Sequence, residues 1–114
     1  MGKINSKAKG RTYEQQIRKE LRETFYPDCE RSSYVSKYED DVAKGDLVNT
    51  GNMFRFQLKA TEKAPNFQEV LKEMKDDHKI NCVFHKRNRK GEVVVMSKED
   101  FYAVISMLKM NGIL

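Results

Sequence analysis

The sequence predicts a single mixed α/β domain with its elements in the order α-β-β-β-α-β-β-α. Three observations lead there. Three segments carry apolar residues at helical spacing, and the runs between them alternate apolar with polar residues or are rich in β-formers. Gly, Pro and Asn punctuate the joins. A chain of 114 residues is long enough for one domain with its own core and too short for two.

Residues 1–10 read as a flexible basic arm, and 11–114 as the folded domain. The first helix is expected from about Thr12 to Phe25, with Tyr13, Ile17, Leu21 and Phe25 as its apolar stripe and Pro27 as its stop. The stretch "CERSSYVSKY" is rich in β-formers and aromatics and reads as a strand, followed by the loop "EDDVAKG". The stretch "KGDLVNTGNMFRFQLKAT" (Lys44 to Thr61) then reads as a β-hairpin, its "NTGN" supplying the Asn and Gly that tolerate positive φ. Strand alternation sets Phe54, Phe56, Leu58 and Ala60 on one face and Arg55, Gln57 and Lys59 on the other. With Val48 opposite Met53, Asp46 faces Arg55 and lies diagonal to Gln57.

Pro65 and Asn66 open a second helix, with Asn66 as N-cap and Glu69 completing a capping pair. Phe67, Val70, Leu71, Met74 and His78 form its expected buried face. "INCVFHK" and "EVVVM" read as strands joined by the turn "RNRKG". Ser97 and Asp100 resemble a capping box for a last helix with Phe101, Val104, Ile105 and Leu108 inward, ended by Asn111-Gly112.

Hydrophobic residues at 39% with 34% charged describe a soluble globular protein, and no run approaches the length of a membrane span. The opening "MGKINSKAKGR" lacks the apolar core of a signal peptide. Cys29 and Cys82 stand far apart without CxxC or HxxxH spacing, which suits a reducing cytoplasm and argues against zinc. The net charge of +5 favours a polyanionic partner. Lys7, Lys9 and Arg11 crowd one end, and "HKRNRK" gathers Lys86, Arg87, Arg89 and Lys90 in one turn; two solvated charge clusters account for them equally well.

One group of residues carries chemistry. Glu14 falls near the middle of the arc swept by Ile17, Leu21 and Phe25, where a carboxylate is expensive unless a cation or donors meet it. Its position in the first helical turn, where acids suit the helix dipole, is the plainer explanation. Asp46, Gln57 and Lys59 share the polar face of the hairpin. Two carboxylates and an amide carbonyl are hard oxygen donors suited to Mg²⁺, and a lysine beside the ion can assist water or stabilise charge on a phosphate. Taken singly, Lys59 also reads as a strand lysine that discourages edge pairing, and Asp46 as a turn-flanking acid.

The pattern "E…GD…QLK" resembles the PD-(D/E)XK nuclease superfamily, and within it the archaeal-type Holliday-junction resolvases and their phage relatives. "SKAKGRTYEQQIRKEL" resembles their basic, Gly-containing lead into the Glu helix, "ERSSYV" their Arg-Ser-rich strand, "GDLV" the Asp strand and "FRFQLKAT" the metal strand. Gly45 stands where the family has Pro, and Gln57 where it has Glu or Asp, which removes one negative charge.

The resemblance implies a restriction-endonuclease-like fold, with a central mixed sheet flanked by helices. It implies a Mg²⁺-dependent endodeoxyribonuclease, with Mn²⁺ able to substitute, in which Glu14, Asp46 and Gln57 hold the metal and Lys59 assists the water. Lys7, Lys9 and Arg11 would meet phosphates near the helix start. Arg31, Ser32 and Ser33 would contact the DNA backbone beside the cleaved bond, with Lys86, Arg87, Arg89 and Lys90 adding a sequence-independent grip. A four-way junction has two-fold symmetry, so a homodimer is expected, with Met107, Met110, Ile113 and Leu114 as interface candidates. The alternatives are a superfamily nuclease acting on nicked, flapped or duplex DNA, and a catalytically weak DNA-binding module. The aromatic stacking platform of an RNA-binding protein is missing.

Overall fold

The computed structural model describes residues 6–32 and 45–114. Helix α1 spans Ser6–Thr24, followed by β1 (Glu30–Arg31), β2 (Leu47–Val48), β3 (Phe54–Ala60), α2 (Phe67–Glu73), β4 (Ile80–Arg87), β5 (Gly91–Val95) and α3 (Lys98–Met110). The result is an α/β domain with three helices and two sheets among the described residues. The part "SYVSKY" of the expected strand, Ser33 included, and the loop "EDDVAK" fall on 33–44, outside the described residues, as do residues 1–5 of the expected arm.

Helix α1 begins six residues earlier than its apolar stripe suggests. Thr12 is not a cap: its hydroxyl donates to the Ala8 carbonyl at 2.8 Å, a bond made within a helix. At the other end, the amides of Phe25 and Tyr26 both reach the Leu21 carbonyl, and the chain turns there. Tyr26 therefore takes the place against the core expected of Phe25, which stands 75% exposed.

Strands β3 and β4 run parallel, with Phe54 beside Ile80, Phe56 beside Cys82 and Leu58 beside Phe84, and β5 pairs antiparallel to β4. Parallel neighbours need a crossover, and the segment carrying α2 supplies it. Tyr13, Ile17 and Leu21 of α1 bury themselves with Phe56, Leu58, Ile80 and Cys82, together with Cys29 and Leu47. Each such aliphatic side chain contributes about 1.5–3 kcal/mol.

The expected hairpin ladder between β2 and β3 is not made: the two strands belong to separate sheets. Strand β2 pairs with β1, Val48 opposite Glu30 and Leu47 opposite Arg31. Leu47 packs with Phe56 and Leu58 of β3, and the preceding Asp46 bonds that strand, its amide donating to the Phe56 carbonyl at 2.8 Å. The turn chemistry holds, since Asn49 (φ 61°) and Gly51 (φ 76°) both adopt left-handed backbone.

Helix α2 starts at the expected cap, the Asn66 side chain accepting from the Glu69 amide at 3.2 Å. It stops at Glu73, so His78 lies exposed beyond it rather than on its buried face. The cause is Arg55. Its guanidinium donates to the Lys75 carbonyl at 3.1 Å, which also accepts from Asn81 Nδ2 at 2.9 Å, so side chains take up the carbonyl just past the helix end. Helix α3 is capped by Ser97, whose hydroxyl accepts from the Asp100 amide at 3.0 Å. It ends with Gly112 at φ 72° and bonds from Gly112 and Ile113 back to Lys109 and Leu108. Val104 and Met107 pack on the core, whereas Phe101, expected inward, is half exposed. Among the described residues no helix is long and apolar enough to cross a membrane.

Candidate active site

Asp46 is the hub. Its carbonyl accepts from the Ser32 amide at 3.0 Å, its amide reaches Phe56, and its carboxylate oxygen Oδ2 accepts from the Leu58 amide at 2.7 Å. The last two bonds flank Gln57, which is therefore next to Asp46 along the β3 edge. That adjacency was expected from the hairpin, although the register that produces it is different. The Gln57 side chain is half buried, and its carbonyl oxygen Oε1 is fully buried with no hydrogen-bond partner. Leaving such an oxygen unpaired costs about 1–3 kcal/mol.

Glu14 comes to Asp46 from α1. Burial, then the Asp46 carboxylate, push its pKa above the ordinary carboxylate range, while Arg31 and Arg11 pull it back. Arg31 Nη1 lies 3.9 Å from Glu14 Oε1, held there because Arg31 pairs with Leu47, the residue after Asp46. The Arg31 Nε is a second buried polar atom without a partner.

The geometry differs from one shared open face. Helix α1 covers the Phe56 and Leu58 side of β3, and alternation turns Gln57 and Lys59 to the other side. Asp46 bonds the edge of β3 at Phe56 and Leu58, near enough to Glu14 of α1 for the two carboxylates to repel. The Lys59 side chain is half buried and makes no ion pair or hydrogen bond among the described residues. Its strand neighbour is His85, buried, whose Nε2 lies 2.9 Å from the Thr61 carbonyl and 3.1 Å from its hydroxyl. His85 therefore ties down the chain leaving β3, two residues after Lys59. The strand reading "INCVFHK" placed His85 on β4 without giving it a role; continuing the alternation from Val83 would have turned it inward.

Of the residues expected to grip phosphates, Lys7, Arg11, Arg87, Arg89 and Lys90 are exposed. Arg89 sits in the β4–β5 turn at φ 62°. Lys9 is engaged with Glu62 at 2.9 Å. Lys86 turns back on α1, donating to Gln16 at 3.1 Å above the Tyr13 ring. Ser32 is buried. Arg55, expected on the polar face beside Gln57, is committed to structure through Asp77, Lys75 and Asn81. Burial pushes both thiols up, that of Cys82 to about 12, and holds the Tyr13 hydroxyl neutral as well, so none of these is an activated nucleophile.

Glu14 makes the pH dependence of stability testable. A carboxyl whose folded pKa is raised stabilises the fold in its protonated form; that contribution is complete below the ordinary carboxylate range and lost as pH rises through the folded value. At pH 7 the ionised group therefore opposes folding of the metal-free protein. Glu14→Gln is expected to raise Tm by about 2–4 °C at pH 7 in EDTA and by less at pH 4. A variant that melts at or below the parent at pH 7 would show that Arg31 already neutralises Glu14.

Among the described residues no three His, Cys, Asp or Glu side chains cluster as a metal site. Comparison with known proteins finds no matching family model, no matching curated protein and no matching solved structure.

Proposed function

We propose that this chain is a metal-dependent DNA endonuclease of the PD-(D/E)XK type, acting on branched DNA such as a four-way junction in the cytoplasm of its host. The observation that carries the reading is the buried Gln57 carbonyl oxygen, unpartnered among the described residues, on the strand residue flanked by the two Asp46 bonds, with Glu14 near enough for the Asp46 carboxylate to raise its pKa. An orphaned oxygen and two mutually repelling carboxylates are unfavourable for a fold alone, and a hard divalent cation relieves both.

The donor set fits Mg²⁺, with Mn²⁺ as a substitute: Glu14, Asp46 and Gln57 would hold it, leaving room for water. When bound, the ion polarises a phosphoryl oxygen and lowers the pKa of water. The chain's own groups do the rest. Lys59, uncommitted in the fold, sets an ammonium beside a phosphate whose charge grows during hydrolysis. Arg31 balances Glu14 in the free protein and is positioned to meet a phosphate when the carboxylate turns to the cation. Exposed Lys7, Arg11, Arg87, Arg89 and Lys90 supply phosphate contacts that carry no sequence information.

The test is a Mg²⁺ titration of cleavage. Gln57→Glu restores the third charge and should lower the Mg²⁺ concentration for half-maximal cutting, because one added charge at contact is worth on the order of a few kcal/mol near a surface. Gln57→Ala deletes the ligand and should be nearly inactive. Parent-like cutting by both variants at every metal concentration would remove Gln57 from the site. A second reading, a DNA-binding module with little hydrolysis, is favoured by the donor set containing only two carboxylates; junction binding without cleavage in Mg²⁺ or Mn²⁺ selects it.

A further inference from the structure

Glu62 is held where an anion would bind. It lies just past β3, and continuing the parallel register from Ala60 beside Lys86 sets it next to Asn88. Its carboxylate accepts from the Lys9 ammonium of α1 at 2.9 Å. That bond, with the Arg87 charge and the Asn88 amide, holds the Glu62 carboxyl below its ordinary range. An ammonium, a guanidinium and a main-chain amide around one oxyanion are equally the donors that suit a phosphate.

Lys9 and Asn88 are also two walls of a cavity of about 390 Å³ at the C-terminal ends of the parallel strands β3 and β4, completed by Thr12, Tyr13, Ala60 and Lys86. The Lys86 ammonium is fixed by its bond to Gln16 at 3.1 Å and by the Tyr13 ring, whose centroid is 5.8 Å away. It pairs with no carboxylate among the described residues. Two ammonium groups therefore serve one cavity, and Glu62 balances only the first. The walls continue those of the candidate active site, since Tyr13 precedes Glu14 on α1 and Ala60 follows Lys59 on β3.

We propose that this cavity receives a phosphate group of a nucleic-acid strand, and that the Glu62 carboxylate fills that group's place at Lys9 in the free chain. Binding is then the exchange of one oxyanion for another. The phosphate displaces Glu62, takes over Lys9 and the Asn88 amide, and gains Lys86 besides. An ion pair as exposed as Lys9–Glu62 is worth little in water, so a ligand with a second ammonium to meet can replace it. Glu62 thus acts as a built-in competitor that keeps Lys9 in position and lowers affinity until a phosphate arrives. The role of the site beside Glu14 and Lys59 rests on the hydrolytic reading, whereas its occupancy by phosphate is tested without cleavage.

Binding measured in EDTA provides the test. Inorganic phosphate titrated into the full chain at constant ionic strength should shift the Asn88 amide resonance. Glu62→Gln, whose side-chain oxygen still accepts from Lys9, should lower the half-saturating concentration about 3–10-fold. Glu23→Gln makes the same charge change about 20 Å away along α1 and should leave that concentration unchanged. In a Lys9→Gln background, Glu62→Gln should bring no gain; if Lys9→Gln unfolds, the contrast between Glu62→Gln and Glu23→Gln decides alone. Fluorescence anisotropy then identifies the source of the phosphate. Equal tightening by Glu62→Gln on 5′-hydroxyl and 5′-phosphorylated oligonucleotides assigns an internal phosphodiester, and tightening confined to the phosphorylated one assigns a strand end. An Asn88 amide indifferent to phosphate, an equal gain in Glu23→Gln, a gain that survives Lys9→Gln, or no tightening on either oligonucleotide each overturns the proposal. A chain that binds phosphate in this way yet never cleaves DNA would remove the hydrolytic reading and leave the site standing.

Discussion

Asp46→Asn and Lys59→Ala are each expected to slow cleavage of a synthetic four-way junction by about 10²–10³-fold or more, the scale of losing one preorganised charge at a reacting centre. Both variants should stay folded and keep most of their junction affinity. The Asn side chain retains an oxygen that can accept from the Leu58 amide, so the tie between Asp46 and β3 survives while the negative charge is lost. The Lys59 side chain makes no ion pair or hydrogen bond among the described residues. Asp46→Ala behaves differently: it also deletes the bond to Leu58, about 1 kcal/mol, and should lower Tm by roughly 4 °C. Initial rates in Mg²⁺, with binding measured in EDTA, check all three. Full-rate cutting by purified Asp46→Asn would end the hydrolytic reading.

The largest effect on stability is expected at Arg55. Its guanidinium, almost wholly buried, meets Asp77 through two oxygens at 2.8 and 3.2 Å, the Lys75 carbonyl at 3.1 Å and Asn81 Oδ1 at 3.0 Å. Arg55→Met removes one charge of that pair and leaves the Lys75 carbonyl with one donor fewer. Breaking a buried pair from one side costs 3–5 kcal/mol, and Asp77 can regain some water, so about 3 kcal/mol is expected in urea unfolding at pH 7. Hydrogen bonding from Arg55, and further from the Lys79 amide, holds the Asp77 carboxyl well below the usual carboxylate range. A depressed carboxylate stabilises the fold above its ordinary pKa, and the contribution is lost as pH falls toward the folded value. The gap between parent and variant should therefore narrow below about pH 4. A loss under about 1 kcal/mol at pH 7 would show that the loop after α2 holds its place without this network.

What the sequence made legible is local. The helix N-caps at Asn66 and Ser97, the left-handed turn at Asn49 and Gly51, and the stop at Gly112 were all readable, because each depends on a few neighbouring residues. The central stripe of α1, Tyr13, Ile17 and Leu21, was readable for the same reason. So was the nearness of Asp46 to Gln57, since a short connection leaves little choice of partner.

The readings that failed depend on which distant group competes. His78 lost its helical place because Arg55, on another element, engages the Lys75 carbonyl. Phe101, expected inward, stands half exposed while Val104 and Met107 of the same helix pack on the core. Lys9 and Lys86, indistinguishable from their basic neighbours in sequence, are drawn aside by Glu62 and Gln16.

By itself, then, the sequence determined the order and type of most described elements, their caps, and the residue types gathered near Asp46. Only the tertiary structure decided that β2 pairs with β1, that Asp46 lies near enough to Glu14 to raise its pKa, and that the Gln57 carbonyl is buried without a partner among the described residues. The physical reason is the range of the interactions. Caps, turns and amphipathic periods are settled within one or two turns of chain, whereas burial, strand partners and the pairing of charges depend on segments dozens of residues apart being packed together.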